Sequence, residues 1–130
     1  MDIEQLIADY GTLADTVRAV PLHSDGDAQA RYLSEAAAIL PTINEHWAWS
    51  KSLLNEERAK ASEEYATEKY AKLSKRLVEN LIDGKCTSHV RMEAMYERLS
   101  RSCVHCIEAV RSLLSNSKAE RYATSRHSGT

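Results

Sequence analysis

The sequence has no phenylalanine and only four glycines and two prolines among its 130 residues. Sandwiches and barrels of β-strands need frequent turns and many β-branched or aromatic residues, so this composition argues against them. Alanine, glutamate, leucine, lysine, arginine and serine dominate instead, and most of these residues favour helices. We therefore predict an all-α chain that forms one domain with a modest core.

Long apolar runs are also missing. No stretch approaches the about 18 apolar residues of a membrane span, and the opening MDIEQLIADY is acidic and amphipathic, unlike a signal peptide. We expect a cytoplasmic protein with no membrane partner. The three cysteines are an odd number without framework spacing, so reduced thiols are expected.

Charge is unevenly distributed along the chain. Residues 1–50 hold two basic and eight acidic residues, a net −6, whereas residues 51–130 hold fifteen basic and eleven acidic residues, a net +4. This asymmetry suggests that the second half meets an anion or an acidic partner, and a head-to-tail oligomer would also use it.

Apolar residues recur at helical spacing in several segments separated by turn signals. The stretch PLHSDGD ends the first helix, Pro41 separates the second from the third, and Gly84 is expected to end the third as a left-handed cap. The predicted helices cover residues 2–19, 27–40, 42–83 and 88–121, with a disordered tail over 122–130. The last two should form a long antiparallel hairpin.

The cysteines raise the question of a metal site, because Cys86, His89, Cys103 and Cys106 have spacing close to that of a zinc module. The residues from His89 to Cys103 are strongly helical, which places the two ends roughly 21 Å apart. One intrachain site is incompatible with a continuous helix there, so we expect no metal and no cofactor. Buried thiols are favoured over an interchain metal or disulfide, or a reactive thiol.

A heptad pattern offers a structural interpretation of the same residues. Met92, Leu99 and Cys106 lie seven apart, and Cys103 belongs to the complementary row. Small and apolar residues at such positions pack against a neighbouring helix or subunit. The predicted oligomer or packing seam comprises Trp47, Leu54, Leu73, Leu77, Met92, Tyr96, Leu99, Cys103, Cys106, Val110 and Leu113.

Catalysis is not indicated. The paired acids at 56–57 and 63–64 lie within a predicted helix, no glycine-rich phosphate cradle is present, and loops are few and short. We therefore predict that the protein is not an enzyme.

Basic residues are concentrated between residues 69 and 91, a segment that contains six basic and two acidic residues. On a helix, Lys69, Lys72 and Arg76 share one strip with Tyr65, a pattern that suits phosphates and unpaired bases, although an ordinary solvated helix face remains the alternative. The predicted nucleic-acid-binding residues are Tyr65, Lys69, Lys72, Lys75, Arg76, Lys85 and Arg91.

The order of these parts resembles that of the UvsY-like recombination mediators of tailed phages. The similar features are the acidic opening helix DIEQLIADY, the segment EEYATEKYAKLSKRLVENLIDGK with its basic residues before a glycine, and the closing CIEAVRSLLSNSKAER. The family often has paired aromatic residues just before that glycine, where this chain has Leu81, Ile82 and Asp83.

The resemblance implies an all-helical homo-oligomer that binds single-stranded DNA and assists assembly of the recombinase filament on DNA covered by single-strand binding protein. In that case the location is the cytoplasm of the phage's host cell. The alternative is a small helical protein–protein interaction module, such as a phage-encoded inhibitor or scaffold, that needs no nucleic acid. A purely structural coiled-coil assembly is a third interpretation.

Overall fold

The computed structural model describes residues 1–23 and 25–128, with side chains as far as Lys118. Its helices are α1 (Ile3–Arg18), α2 (Gly26–Tyr65), α3 (Lys75–Lys85) and α4 (Thr87–Ser128), and a single 3₁₀ turn lies at Glu68–Tyr70. The prediction of an all-α chain is confirmed. Within this described part, no helix is both long and apolar enough to cross a membrane.

Helices α2 and α4 form an antiparallel pair. The Trp47 indole N–H donates to Glu93 Oε1 at 3.0 Å, and the Ser100 hydroxyl donates to Asn44 Oδ1 at 2.6 Å. The later residue of α4 thus contacts the earlier residue of α2, which shows that the two helices run in opposite directions. Most of the α2 core residues that pack with α4 lie between residues 32 and 54, whereas the predicted hairpin used residues 42–83.

Helix α1 packs into the groove of this pair. It begins at Asp2, whose carboxylate accepts the Gln5 amide at 2.9 Å, and it buries Leu6 and Val17. The Tyr96 hydroxyl donates to the Leu6 carbonyl at 2.5 Å, and the Tyr32 hydroxyl donates to the Val17 carbonyl at 2.7 Å. Burial raises the pKa of both tyrosines, so both remain donors at neutral pH.

Pro41 does not separate two helices, contrary to the sequence prediction, because α2 continues through it. An interior proline loses one backbone hydrogen bond and costs about 3 kcal/mol. Its neighbours Ala36 and Ile43 are completely buried against α1 and α4, whereas the proline itself is exposed. Packing on both sides of Pro41 offsets the local penalty.

The predicted 42–83 helix is wrong for a second reason, because the chain leaves α2 at Tyr65 and starts α3 only at Lys75. No glycine or proline marks this break. The Ser74 hydroxyl caps α3 by accepting the Leu77 amide at 3.2 Å. The break lets α3 fold back, so that Ile82 packs beside Leu54 and Cys86.

The end of α3 also differs from expectation. Gly84 lies inside α3, and no described residue has a positive φ, so the expected left-handed cap is absent from this part of the chain. Helix α4 begins at Thr87, close to the predicted start at 88, and its backbone extends to Ser128. The predicted tail at 122–130 is thus helical to 128, and residues 129 and 130 lie outside the described part.

The predicted seam divides into three groups. Leu77 is 44% exposed, because the break places it on the outer side of the short α3, so it does not belong to the core within the chain. Half-buried members are Trp47, Leu73, Cys106 and Leu113. Buried members are Leu54, Met92, Tyr96, Leu99, Cys103 and Val110.

The cysteines belong to separate parts of the core. Cys103 lies 3.7 Å from the Ala36 carbonyl, whereas Cys86 packs with Leu54 and Ala61 near α3. Burial raises the pKa of both thiols and favours their neutral form. Because α4 is continuous, the two thiols are roughly 25 Å apart along it. Among the described side chains, no cluster of three or more metal-ligating groups occurs.

Candidate nucleic-acid interface

The segment between α2 and α3, residues 66–76, forms a turn that we call the basic elbow. Lys69 lies in the 3₁₀ turn, Lys72 lies in the bend that follows, and Lys75 and Arg76 begin α3. All four side chains are exposed. The elbow thus presents four cations within eight residues of chain.

These four cations are not neutralised by the protein. In the part of the chain that the structure describes, Lys69, Lys72, Lys75 and Arg76 form no ion pair with a carboxylate. The elbow sequence contains one acid, Glu68, so its net charge is +3. An exposed surface with this charge attracts polyanions, and salt weakens that attraction.

Two tyrosine rings lie at the base of the elbow. The ring centroids of Tyr65 and Tyr70 are 4.8 Å apart, with an edge-to-face angle of 71°. The Lys69 ammonium lies 5.4 Å from the Tyr70 centroid. Both rings are half-buried, so they combine a fixed orientation with access to solvent. Tyr70 was not among the residues predicted from the sequence.

Lys85 differs from the four elbow cations in that it has an acidic partner. Its ammonium forms an ion pair with Glu64 and lies 5.3 Å from the Tyr65 centroid. The hydrogen bond that Lys85 donates to Glu64 raises the pKa of Lys85. Together with the Arg58 to Asp83 ion pair at 3.3 Å, this contact joins α3 to α2. Lys85 therefore supports the elbow, and its charge is already matched.

Arg91 also lies away from the elbow. It lines a groove between α1 and α4 together with Arg18 and Arg98. Sequence reasoning missed Arg18 and Arg98, because their proximity depends on how α1 packs against α4. The structure therefore keeps Lys69, Lys72, Lys75 and Arg76 together in the elbow. It places Lys85 beside Tyr65 but paired with Glu64, and it places Arg91 in a separate groove.

The elbow cations also lie together for a different reason from the one predicted from the sequence. A continuous helix was expected to align Lys69, Lys72 and Arg76 on one strip, but the helix is broken at these residues. A tight turn brings them together instead. Helix α3 begins at Lys75 and Arg76, and the dipole of the helix adds a partial positive charge at this end.

Fold and geometry define a small all-α domain with a cationic, tyrosine-bearing elbow, which is a candidate surface for a flexible polyanion. Comparison with protein-family models, with curated proteins and with solved structures found no match for this chain. The functional argument therefore rests on the residues of the elbow.

Proposed function

We propose that the protein binds single-stranded DNA through the basic elbow. The observation that carries the proposal is the set of four exposed cations that form no ion pair with any described residue, next to two tyrosine rings. Lysine and arginine neutralise backbone phosphates and release condensed counterions, which supplies most of the affinity of sequence-independent binding. The elbow has the charge for several such contacts at once.

The tyrosines favour a single strand over a duplex. Bases in a duplex are stacked on each other, whereas unpaired bases can stack on an aromatic side chain, a contact worth about 1–3 kcal/mol per base. Tyr65 and Tyr70 are fixed next to the cations, so a phosphate on Lys69 would bring its base within reach of the Tyr70 ring.

The resemblance to UvsY-like mediators extends this proposal to a biological role. In that role the protein assists recombinase filament assembly on DNA covered by single-strand binding protein, and it acts as a homo-oligomer in the host cytoplasm. Recombinase and single-strand binding protein are its proposed partners. The support is the shared order of an acidic opening helix, a basic segment before a glycine and a long closing helix.

Fluorescence anisotropy with a labelled oligonucleotide tests the binding proposal. The protein is expected to bind a single strand of mixed sequence at about 50 mM salt and to lose at least tenfold in affinity at about 200 mM. A duplex of equal length should bind more weakly, because its bases are not available to the tyrosines. Absence of single-strand binding at the lower salt concentration would overturn the proposal.

A second candidate function is that of a helical protein–protein interaction module. The observation that favours it is Trp49, which is 42% exposed on α2. Tryptophan is enriched at the centres of protein interfaces and is unusual on a free surface. This function uses a different face from the elbow, and it is compatible with DNA binding.

A further inference from the structure

A groove of about 660 Å³ lies between α1 and α4. Its floor is apolar and includes Val17, Met95 and Leu99. Its rim carries the guanidinium groups of Arg18, Arg91 and Arg98. We call it the arginine groove. Of the described side chains that line it, none is acidic.

The three arginines lack ion-pair partners in the part of the chain that the structure describes. Arg91 and Arg98 lie two turns apart on the same face of α4, about 10 Å along the helix axis. A single small anion cannot span that distance. An occupant with several carboxylates along a helix, and with an apolar group between them, matches both the rim and the floor.

The chain itself presents such an occupant on the opposite side of the bundle. Glu45, Trp49, Ser52 and Glu56 follow one another at helical spacing along the outer face of α2, and all four are exposed. We call this surface the Trp49 stripe. Among the described residues, neither Glu45 nor Glu56 forms an ion pair. A shallow depression of about 270 Å³ lies beside Trp49.

We propose that the Trp49 stripe of one copy docks into the arginine groove of a second copy, with the indole on the apolar floor and the two glutamates paired to arginines. The glutamates are about 16 Å apart along α2, and the long arginine side chains can span the remaining difference. The groove volume lies within the about 300–1,000 Å³ of pockets that accept drug-sized groups, so an indole fits.

The two surfaces cannot meet within one chain. The described residues that line the groove belong to α1, the segment after it and α4, whereas the stripe faces away from both helices on α2. The contact is therefore head-to-tail, and a pair of copies keeps one free groove on one copy and one free stripe on the other. Repetition of such a contact gives a ring or a filament. This proposal does not rest on DNA binding.

Mixing two variants tests the interface by mass measurement of the full-length chain. One variant is Trp49→Ala, which keeps the groove, and the other is Arg91→Glu with Arg98→Glu, which keeps the stripe. The wild-type protein is expected to assemble beyond a dimer, and each variant alone is expected to stay monomeric. An equimolar mixture should form a one-to-one dimer and nothing larger, since only one complementary pair of surfaces remains.

Two controls keep the test decisive. Glu45→Gln with Glu56→Gln is a second stripe variant that retains the indole and removes both charges, and it should behave like Trp49→Ala. Arg31→Glu with Arg111→Glu makes the same charge change as the groove variant at exposed positions outside both surfaces, and it should assemble like wild type. A monomeric wild type, variants that assemble normally, or a mixture that stays monomeric would each overturn the proposal.

Discussion

Replacing Tyr96 with alanine is expected to lower the free energy of unfolding by about 5 kcal/mol. Tyr96 is completely buried at the junction of the three long helices, with its ring 5.4 Å from that of Tyr10 and 5.6 Å from that of His46. Truncation leaves a large cavity and also removes the hydrogen bond from the Tyr96 hydroxyl to the Leu6 carbonyl. Since small domains are stable by only about 5–15 kcal/mol, the variant should be largely unfolded or close to it.

Urea or thermal denaturation followed by circular dichroism measures this effect, and two variants separate its causes. Tyr96→Phe keeps the ring and removes only the hydroxyl, so a loss of about 1–2 kcal/mol is expected. Tyr70→Ala removes a half-buried ring at the elbow and should cost less than about 1 kcal/mol. If Tyr96→Ala were as stable as Tyr70→Ala, the arrangement of α1 on the α2 and α4 pair would be wrong.

A triple variant that carries glutamine in place of Lys72, Lys75 and Arg76 is expected to bind single-stranded DNA roughly a hundredfold more weakly at about 50 mM salt. Each phosphate contact on a single strand contributes about 0.7 to the slope of log affinity against log salt, so the slope should become shallower by about 2. All three side chains are exposed, and the fold should therefore be unaffected.

The matched control for this variant carries glutamine at Arg31, Arg111 and Lys118. These exposed cations lie outside the elbow, and the change in net charge is identical. The control should lose much less affinity than the elbow variant. Equal losses in the two variants would show that binding follows overall charge and would contradict the assignment of the elbow as the site.

Composition was enough to predict the fold class, because helix-forming residues and the scarcity of turn residues act along the whole chain. The helix breaks were harder to predict. Pro41 is a strong local signal that packing around Ala36 and Ile43 overrides, whereas the break after Tyr65 has no local breaker at all. The one sequence signal for that break is Ser74, a good N-cap residue placed just before α3.

The candidate site could be predicted from the sequence only in part. Lys69, Lys72, Lys75 and Arg76 are neighbours in sequence, so they stay together whether the segment is a helix or a turn. Lys85 and Arg91 depend on tertiary packing, which pairs Lys85 with Glu64 and places Arg91 beside Arg18. Arg18 is more than 70 residues from Arg91, and no local pattern connects them.

Photocrosslinking tests the central claim most directly, namely that the basic elbow holds the DNA. A single-stranded oligonucleotide with iodouracil bases, which react with nearby aromatic rings, would be irradiated with the wild-type protein and the attached tryptic peptides identified by mass spectrometry. The elbow assignment predicts crosslinks at Tyr65 and Tyr70, in the peptides 61–69 and 70–72. Crosslinks confined to Tyr10, Trp47 or Trp49 would contradict it.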